Sequence, residues 1–160
     1  MPVHSAGILL YRLTPDGALE VLLAHMGGPF WAAKDEAAWS VPKGEFDPDA
    51  ESALDAARRE FREELGVDPP DGPYAELGTY SYSSGKRVTV FVADGASLAL
   101  DDLAFGEFEV EWPPRSGRAQ SFPEVDRVEW MTPDAAMPRL VKGQRPALEA
   151  LIEHHGTVAG

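Results

Sequence analysis

Three glutamates within residues 60–64 have the type and spacing of a metal-binding helix face. Glu60, Glu63 and Glu64 stand at positions i, i+3 and i+4, so a helix would bring their carboxylates to one side. Like charges at this spacing repel each other, and no lysine lies among them to relieve the repulsion. A divalent cation relieves it, and magnesium prefers hard oxygen ligands of this kind. The cluster therefore predicts a metal site on a helix.

A glycine-containing loop lies just upstream of these glutamates, in the run Pro42-Lys43-Gly44-Glu45. Glycine lets backbone oxygens and amides come close to an ion or a phosphate. Such a loop beside a carboxylate cluster predicts metal-assisted phosphate chemistry. The competing interpretation is a solvated acidic helix face, on which Arg59 and Glu63 form an ordinary i, i+4 pair.

The two segments together resemble the Nudix box, a pattern of glycine, five residues, glutamate, seven residues and a fixed cluster that begins with arginine and glutamate. From Glu51 onward this chain matches every fixed position, namely seven residues, Arg59-Glu60, Phe61, Arg62, Glu63-Glu64, Leu65, Gly66 and Val67. It departs at the front, because six residues separate Gly44 from Glu51. A loop tolerates one extra residue, whereas an insertion within the helix would rotate the carboxylates apart.

The resemblance implies a hydrolase that uses Mg²⁺ or Mn²⁺. Glu60, Glu63 and Glu64 are the expected metal ligands and catalytic residues, joined by the backbone carbonyl of Lys43 beside Gly44. The ammonium group of Lys43 is a candidate phosphate contact, since lysine acts as a point charge for phosphate. Which glutamate serves as the general base is left open at this point.

The resemblance also implies an α+β fold, specifically the Nudix-type α/β/α sandwich with a mixed β-sheet. One domain is expected over residues 1–160, with the box at about residues 44–67. Three box residues are assigned structural roles. Glu51 lies near the junction of loop and helix, Arg59 holds Glu63 in place, and Gly66 stops the helix.

Four residues outside the box are further candidates. Arg115 and Arg118 form a locally basic loop in an acidic chain and are candidate contacts for outer phosphates, although a solvated loop tip is the competing interpretation. Glu124, at the start of a predicted strand, is a candidate metal ligand or base, and a structural hydrogen bond at the strand end explains it equally well. Trp31, in a loop headed by glycines, is a candidate for stacking on a ligand.

The predicted reaction is cleavage of a pyrophosphate linkage in a nucleoside diphosphate joined to another group. Nucleoside triphosphates and dinucleoside polyphosphates are the favoured substrates, while sugar nucleotides and oxidised nucleotides remain open. The alternative is a nucleotide-sensing or nucleotide-binding module without turnover, which has no need of all three glutamates. An acidic calcium-binding domain is disfavoured, because the loop spacing of an EF-hand is absent.

Composition limits the partners. The 160 residues carry a formal charge of −13, which argues against binding to a nucleic-acid polymer, since that requires a basic face. There is no cysteine, so a disulfide framework and a thiol nucleophile are excluded. No apolar run approaches the roughly 20 residues that span a bilayer. We therefore expect a cytoplasmic monomer or homodimer that binds a small nucleotide or dinucleotide and no membrane.

The elements that must position these residues follow from hydrophobic patterning and turn residues. The pivotal helix is predicted over residues 49–65, capped by Asp47 or Asp49 and ended by Gly66. Two later helices are predicted, a short one from residue 132 and a final one over residues 145–154. Trp39, Tyr80 and Tyr82 are expected in the core, as is the lone His25. Strands are predicted over residues 3–13, 19–25, 39–41, 74–82, 87–93, 105–112 and 125–131.

Overall fold

The computed structural model describes residues 3–159, and the side chains of residues 3–154. The strands are β1 (His4–Leu13), β2 (Leu19–Met26), β3 (Trp39–Ser40), β4 (Lys43–Phe46), β5 (Ala75–Ser81), β6 (Arg87–Asp94), β7 (Glu107–Glu111), β8 (Ala119–Pro123) and β9 (Val125–Met131). The helices are α1 (Ala53–Leu65), α2 (Pro133–Arg139) and α3 (Arg145–Ala159). Within the described residues, every helix is too short or too polar to cross a bilayer.

The strands form one large mixed sheet and a separate hairpin. The sheet has the order β3-β2-β1-β6-β5, with β4 added to β1 and β9 added to β2. β1 and β6 run parallel, whereas β1 is antiparallel to both β2 and β4. Strands β7 and β8 pair only with each other in the described part of the chain. The predicted mixed sheet is confirmed.

Helices cover both faces of this sheet, because its strands bury alternate side chains on opposite sides. On β1, Ile8 packs in a cluster with Phe61 and Leu65 of α1. Its neighbour Leu9 packs in a second cluster with Leu148 and other residues of α2 and α3. All of these side chains are essentially inaccessible to solvent. The arrangement is the α/β/α sandwich predicted from the sequence.

Helix α1 begins later than predicted. Its N-cap is Ser52, whose side chain accepts a hydrogen bond from the Asp55 amide at 3.2 Å, as serine commonly does at this position. The predicted cap at Asp47 or Asp49 is wrong, because Asp47 instead closes a turn in the preceding loop by accepting from the amides of Ala50 and Glu51. The loop that contains Pro48 and this turn therefore accommodates the extra residue between Gly44 and Glu51, and the helix is left without an insertion.

The end of α1 agrees with the prediction. Gly66 has φ of 75° and its amide donates to the carbonyl of Arg62, the left-handed geometry that glycine adopts without steric cost. A Cβ at this position would lie 2.3 Å from the Ala104 carbonyl oxygen. Gly66 thus stops the helix and also lets a later segment pass against it.

The glycine loop is more regular than predicted. Residues of β4 pair with β1, in the register Gly7↔Lys43 and Ala6↔Gly44, and the Ile8 amide donates to the Pro42 carbonyl at 3.1 Å. A Cβ on Gly7 would lie 2.8 Å from that same carbonyl oxygen, so glycine permits the close crossing. The segment that carries Lys43 and Gly44 is therefore held rigidly beside α1.

Candidate active site

One cavity brings together most of the residues that the sequence singled out. It has a volume of about 390 Å³, which lies in the range of small-molecule sites. Helix α1 contributes Glu60 and Glu64, and strand β4 contributes Lys43 and Gly44. Glu124, the residue before β9, also lines the cavity. We call this space the glutamate cavity. Its remaining wall comes mainly from the loop after β2 and from β7, through Met26, Gly27, Phe30, Trp31 and Phe108.

Gly44 leaves room for the carboxylate of Glu60. A Cβ added to Gly44 would lie 2.0 Å from the carboxyl carbon of Glu60 and 2.0 Å from one of its oxygens. The carboxylate of Glu60 therefore rests directly on the backbone of β4, and a side chain at residue 44 would displace it. This contact places a carboxylate and the Lys43–Gly44 backbone at one point, as the expected ligand set requires.

Arg59 joins three carboxylates on the outer side of α1. Its guanidinium donates to Glu51 at 2.6 Å, to Glu60 at 2.9 Å and to Glu63 at 3.2 Å. The hydrogen bonds to Glu51, followed by those to Glu60 and Glu63, raise the pKa of Arg59. The predicted contact with Glu63 is present, but the strongest partner is Glu51. Glu63 is turned towards Arg59 and does not line the cavity.

Glu64 has the most strongly shifted pKa among the carboxyl groups that line the cavity. Burial is the main cause that raises its pKa to about 8, and the nearby charges of Glu124 and Glu60 add to the shift. The charge and the backbone amide of Lys43 oppose it. Burial also raises the pKa of Glu60 and of Glu124. The cavity thus holds three carboxyl groups whose ionised forms need an additional positive charge.

Glu124 is fixed by its backbone between two loops. Its amide donates to the carbonyl of Gly106 at 2.7 Å, and its carbonyl accepts from the amide of Gly27 at 2.9 Å. A Cβ on Gly106 would lie 3.7 Å from a carboxylate oxygen of Glu124. The backbone thus provides the strand-end hydrogen bonds that the sequence left as an alternative, while the side chain is free to enter the cavity.

The donor chemistry of the cavity fits a hard divalent cation. Its candidate ligands are all oxygens, namely three carboxylates and a backbone carbonyl, which suit Mg²⁺ or Mn²⁺. Among residues 3–154, however, no three acidic or histidine side chains already converge as a ligand set. Arg59 accounts for part of this, because it draws Glu60 and Glu63 towards itself. Ion binding by all three box glutamates would therefore require Glu63 to turn inward from Arg59, whereas Glu60 already lines the cavity.

The aromatic wall of the cavity was largely missed by the sequence analysis. Trp31 was singled out, but Phe30 and Phe108 were not. Phe108 packs on Gly28, where a Cβ would lie 2.7 Å from the end of the ring, and Gly28 has φ of 92°. The pair Gly27-Gly28 was the available signal, since consecutive glycines permit close approach of another segment.

The two arginines outside the box do not line the glutamate cavity. Arg115 and Arg118 lie exposed at the tip of the β7–β8 hairpin. The base of the hairpin reaches the cavity through Phe108, and the rise of a strand places the tip about 10 Å farther away. The tip is connected to the cavity wall by Trp112, whose ring lies 5.1 Å from that of Phe30.

His25 is a satisfied core residue, as predicted. It is fully buried, its Nδ1 lies 2.8 Å from a carboxylate oxygen of Asp126, and its Nε2 lies 2.5 Å from the Lys34 carbonyl oxygen. The second contact anchors the loop that carries Trp31.

The metal-free protein should lose stability as the pH rises, because the pKa of Glu64 is about 8 in the folded chain against an ordinary value of 4.5. Its stabilising contribution is complete below about 4.5 and is lost as the pH passes through about 8. At pH 9 with a chelator, Glu64→Gln should therefore be more stable than the wild type, by on the order of 3 kcal/mol. The two proteins should be equally stable at pH 4. Denaturant unfolding at pH 4 and pH 9 measures the free energy of unfolding of the two proteins. A difference between them of the same size at both pH values would contradict the prediction.

A protein-family model matches nearly the whole chain. The family model described as NUDIX domain matches residues 2–151. A curated relative, the uncharacterized 17.7 kDa protein in the e-segB intergenic region of Enterobacteria phage T4, is 44% identical over 54 residues. That match covers 33% of this chain and 36% of the phage protein, so the chain spans only about a third of that relative.

Solved structures with low sequence identity share the fold over nearly the whole chain. A C. elegans Ap4A hydrolase, crystallised as a binary complex, superposes with a TM-score of 0.67 at 20% identity, covering 97% of this chain and 98% of that one. The NUDIX domain of Shewanella oneidensis NrtR, complexed with ADP ribose, superposes with a TM-score of 0.64 at 16% identity, covering 97% and 89%. At these identities the similarity concerns the architecture.

Proposed function

This chain belongs to the NUDIX family of pyrophosphohydrolases, and on that premise we propose that it cleaves a pyrophosphate linkage in a nucleotide with the help of Mg²⁺ or Mn²⁺. The observation that carries the proposal is the glutamate cavity itself. Glu60, Glu64 and Glu124 face one space together with Lys43 and Gly44. Carboxylates that only solvated a surface would have no reason to line one partly buried cavity from two separate elements.

The side chains of the cavity divide into three roles in this proposal. Glu60 and Glu64, with the Lys43 carbonyl, would hold the cation, and Glu63 would join them if it left Arg59. A bound cation would polarise a phosphoryl oxygen, acidify the attacking water and offset charge on the leaving phosphate. Glu124 lines the cavity from the residue before β9 and forms no salt bridge within the described residues, so we assign to it the proton of the attacking water. The Lys43 ammonium group neutralises phosphate charge.

The proposed substrate class is a nucleoside triphosphate or a dinucleoside polyphosphate. Two observations support it. The C. elegans protein that shares this fold is an Ap4A hydrolase, and the cavity combines acidic metal ligands with an aromatic wall of Trp31, Phe30 and Phe108. Aromatic side chains of this kind stack on nucleobases.

A second candidate function is nucleotide binding without turnover. The NUDIX domain of NrtR, which shares the fold, was solved in complex with ADP ribose. The contacts of Arg59 with Glu60 and Glu63 also favour this alternative, since they occupy two of the expected ligands. The two functions differ in a simple observable, which is whether the nucleotide is consumed.

The experiment that separates them is a screen for hydrolysis with Mg²⁺ present. Nucleoside triphosphates, diadenosine tetraphosphate, ADP ribose and a sugar nucleotide are incubated with the protein, and the products are separated by chromatography. We expect cleavage of at least one compound at a pyrophosphate bond. Binding of any of them without cleavage would favour the second candidate.

The exposed Arg118 should matter only for long substrates. Because the hairpin tip stands about 10 Å from the cavity, a short diphosphate cannot reach it, whereas the outer phosphates of a longer chain can. We therefore expect Arg118→Ala to raise KM for diadenosine tetraphosphate about three-fold to ten-fold, in line with one charge-assisted contact, and to leave KM for ADP ribose unchanged. Steady-state kinetics on both compounds measures this. Equal effects on the two would indicate general electrostatic steering, and no effect would make Arg118 an ordinary surface residue.

A further inference from the structure

The C-terminal end of α1 is covered by the three residues that precede β7. The last carbonyl groups of a helix have no partner within the helix itself, and here two of them are bonded from outside. The Leu65 carbonyl accepts a hydrogen bond from the Ala104 amide at 2.8 Å, and the Glu64 carbonyl accepts one from the Gly106 amide at 3.1 Å. Residues 104–106 are therefore bonded to the helical turn that carries Glu64.

Gly106 also holds the backbone of Glu124. The Gly106 carbonyl accepts from the Glu124 amide at 2.7 Å, and the Glu124 carbonyl in turn accepts from the Gly27 amide at 2.9 Å. Three backbone hydrogen bonds thus connect Glu64, Gly106, Glu124 and Gly27 in that order. We call these four connected residues the backbone bridge. It joins the two segments that supply Glu64 and Glu124 to the glutamate cavity.

Both ends of the backbone bridge are anchored in buried structure. At one end, Phe61 of α1 is fully buried in the core beneath the sheet. At the other end, β2 and β9 are paired, and Nδ1 of the buried His25 lies 2.8 Å from a carboxylate oxygen of Asp126. Because both ends are fixed, the position of Glu124 depends on the residue between it and α1, which is Gly106.

Gly106 occupies a place that a larger residue could not take without a shift. An added Cβ would lie 2.7 Å from the backbone oxygen of Glu63 and 3.7 Å from a carboxylate oxygen of Glu124. The first approach is a clash with the backbone, whereas the second is an ordinary van der Waals contact. A methyl group at residue 106 would therefore push this segment away from α1 and towards Glu124. Gly106 itself does not line the glutamate cavity.

The opposite side of Glu124 is packed just as closely. A Cβ added to Gly27 would lie 2.1 Å from the carbonyl oxygen of Pro123, the residue before Glu124. The segment that carries Glu124 therefore has little room to move towards Gly27. A displacement that starts at residue 106 has to be absorbed at Glu124 itself.

We propose that Gly106 is a positioning residue, which fixes the carboxylate of Glu124 relative to Glu64 through the backbone bridge. The inference rests on the proposed function, in which Glu124 takes the proton of the attacking water. A proton acceptor must lie within hydrogen-bond distance of that water, and a displacement of about 1 Å can lower the rate by on the order of 100-fold. Gly106 takes no part in the chemistry and acts through Glu124.

Gly106→Ala tests this inference by steady-state kinetics on the best substrate from the nucleotide screen, with Mg²⁺ present. We expect kcat to fall about 10-fold to 100-fold and KM to change by less than about two-fold, because the contacts that bind the substrate are kept. In a Glu124→Gln background, the same substitution should lower kcat by less than about two-fold further, since the carboxylate through which it acts is already absent. Mn²⁺ affinity should stay within about two-fold of the wild type, because the side chains of Glu60 and Glu64 are retained.

Gly95→Ala is the matched control, because it introduces a similar clash outside the glutamate cavity. A Cβ on Gly95 would lie 2.8 Å from the Cβ of Leu10, and Gly95 does not line the cavity. It should change kcat by less than about two-fold. Equal kcat values for Gly106→Ala and Gly95→Ala would overturn the inference, as would an equal loss of kcat in the wild-type and Glu124→Gln backgrounds. Loss of Mn²⁺ binding in Gly106→Ala would overturn it too, since the variant would then act through the metal ligands.

Amide hydrogen exchange followed by nuclear magnetic resonance provides a measurement that requires no turnover. In Gly106→Ala, protection of the Glu124 and Gly27 amides should fall at least about ten-fold. Protection of the Val141 amide, which donates to the Trp39 carbonyl elsewhere in the fold, should not change. Unchanged protection of the Glu124 amide would overturn the inference.

Two further outcomes are decided by the same exchange measurement. If Gly106→Ala fails to fold, the Gly106 and Glu124 amides of the wild type should open with the same free energy, and independent opening would overturn the inference. If the wild type hydrolyses no nucleotide, the proposed function fails. The exchange of the Glu124 amide in Gly106→Ala then still decides whether Gly106 holds Glu124 in place.

Discussion

Glu64→Gln should abolish turnover while leaving the fold intact. The substitution preserves the shape of the side chain and removes the ionisable carboxyl group of Glu64, whose neighbours in the cavity are Glu60, Glu124 and Lys43. Loss of a metal-ligating or proton-transferring group lowers kcat by on the order of 10² to 10⁴. Because neutral glutamine no longer repels the other carboxylates, the thermal stability of the metal-free protein should not fall.

Glu149→Gln serves as the matched control for this substitution. Glu149 lies exposed on α3 and does not line the cavity, so kcat should remain at the wild-type value. Steady-state kinetics on the best substrate from the nucleotide screen, together with circular dichroism, provides the measurement. A Glu64→Gln protein with a near-normal kcat would show that the reaction takes place elsewhere.

Removal of divalent cations should lower turnover by a similar factor. The three carboxyl groups of the cavity have raised pKa values because of burial and mutual repulsion, and without a cation they attract no polyphosphate. We expect turnover to fall at least about 10³-fold after exhaustive chelation and to return when Mg²⁺ or Mn²⁺ is added. The added salt must be matched with NaCl, because a general screening effect would appear with sodium as well.

Turnover that survives chelation would contradict a metal-dependent mechanism. Recovery with NaCl alone would contradict it too, since the cation would then act only by screening the acidic surface. Recovery that requires the divalent ion, and that is absent from Glu64→Gln, links the ion to the glutamate cavity.

Much of the architecture was predictable because it depends on local patterns. Runs of apolar residues on β1, β2 and β6 indicated buried strands, and the apolar positions of α1 indicated one helix face against them. The spacing of Glu60, Glu63 and Glu64 identified the site for the same reason, since spacing along a helix fixes which side chains are neighbours. Ser52 was overlooked as the cap because Asp47, Pro48 and Asp49 gave a competing signal for helix initiation.

The parts that were not predictable depend on contacts between distant segments. Gln144 lies 103 residues from Val41, and nothing in its neighbourhood in the sequence indicates that its amide will be buried against that strand. Tyr82 packs against the core as expected, but it also lines a cavity, which a pattern of aromatic residues does not reveal. The pairing of β4 with β1 was likewise invisible, since four residues containing glycine carry little strand signal.

Which glutamates line the cavity and which bind Arg59 could also be determined only from the structure. From sequence alone, Arg59 was expected to hold Glu63, but the guanidinium binds Glu51 most closely and Glu60 as well. This network depends on where the loop before α1 places Glu51, which spacing does not determine. Arg59 binds Glu63 outside the cavity, whereas Glu60, which it also binds, lines the cavity together with Glu64.

Binding of Mn²⁺, followed by the loss of its free electron paramagnetic resonance signal, tests the central claim most directly, because it asks whether the glutamate cavity holds the cation without reference to any substrate. The wild type should bind Mn²⁺, and Mg²⁺ should compete for the same site. Glu64→Gln should weaken binding by at least about ten-fold, whereas Glu149→Gln should leave it unchanged. Equal Mn²⁺ binding by the wild type and Glu64→Gln, or no binding by the wild type, would contradict the assignment of this cavity as the metal site of a pyrophosphohydrolase.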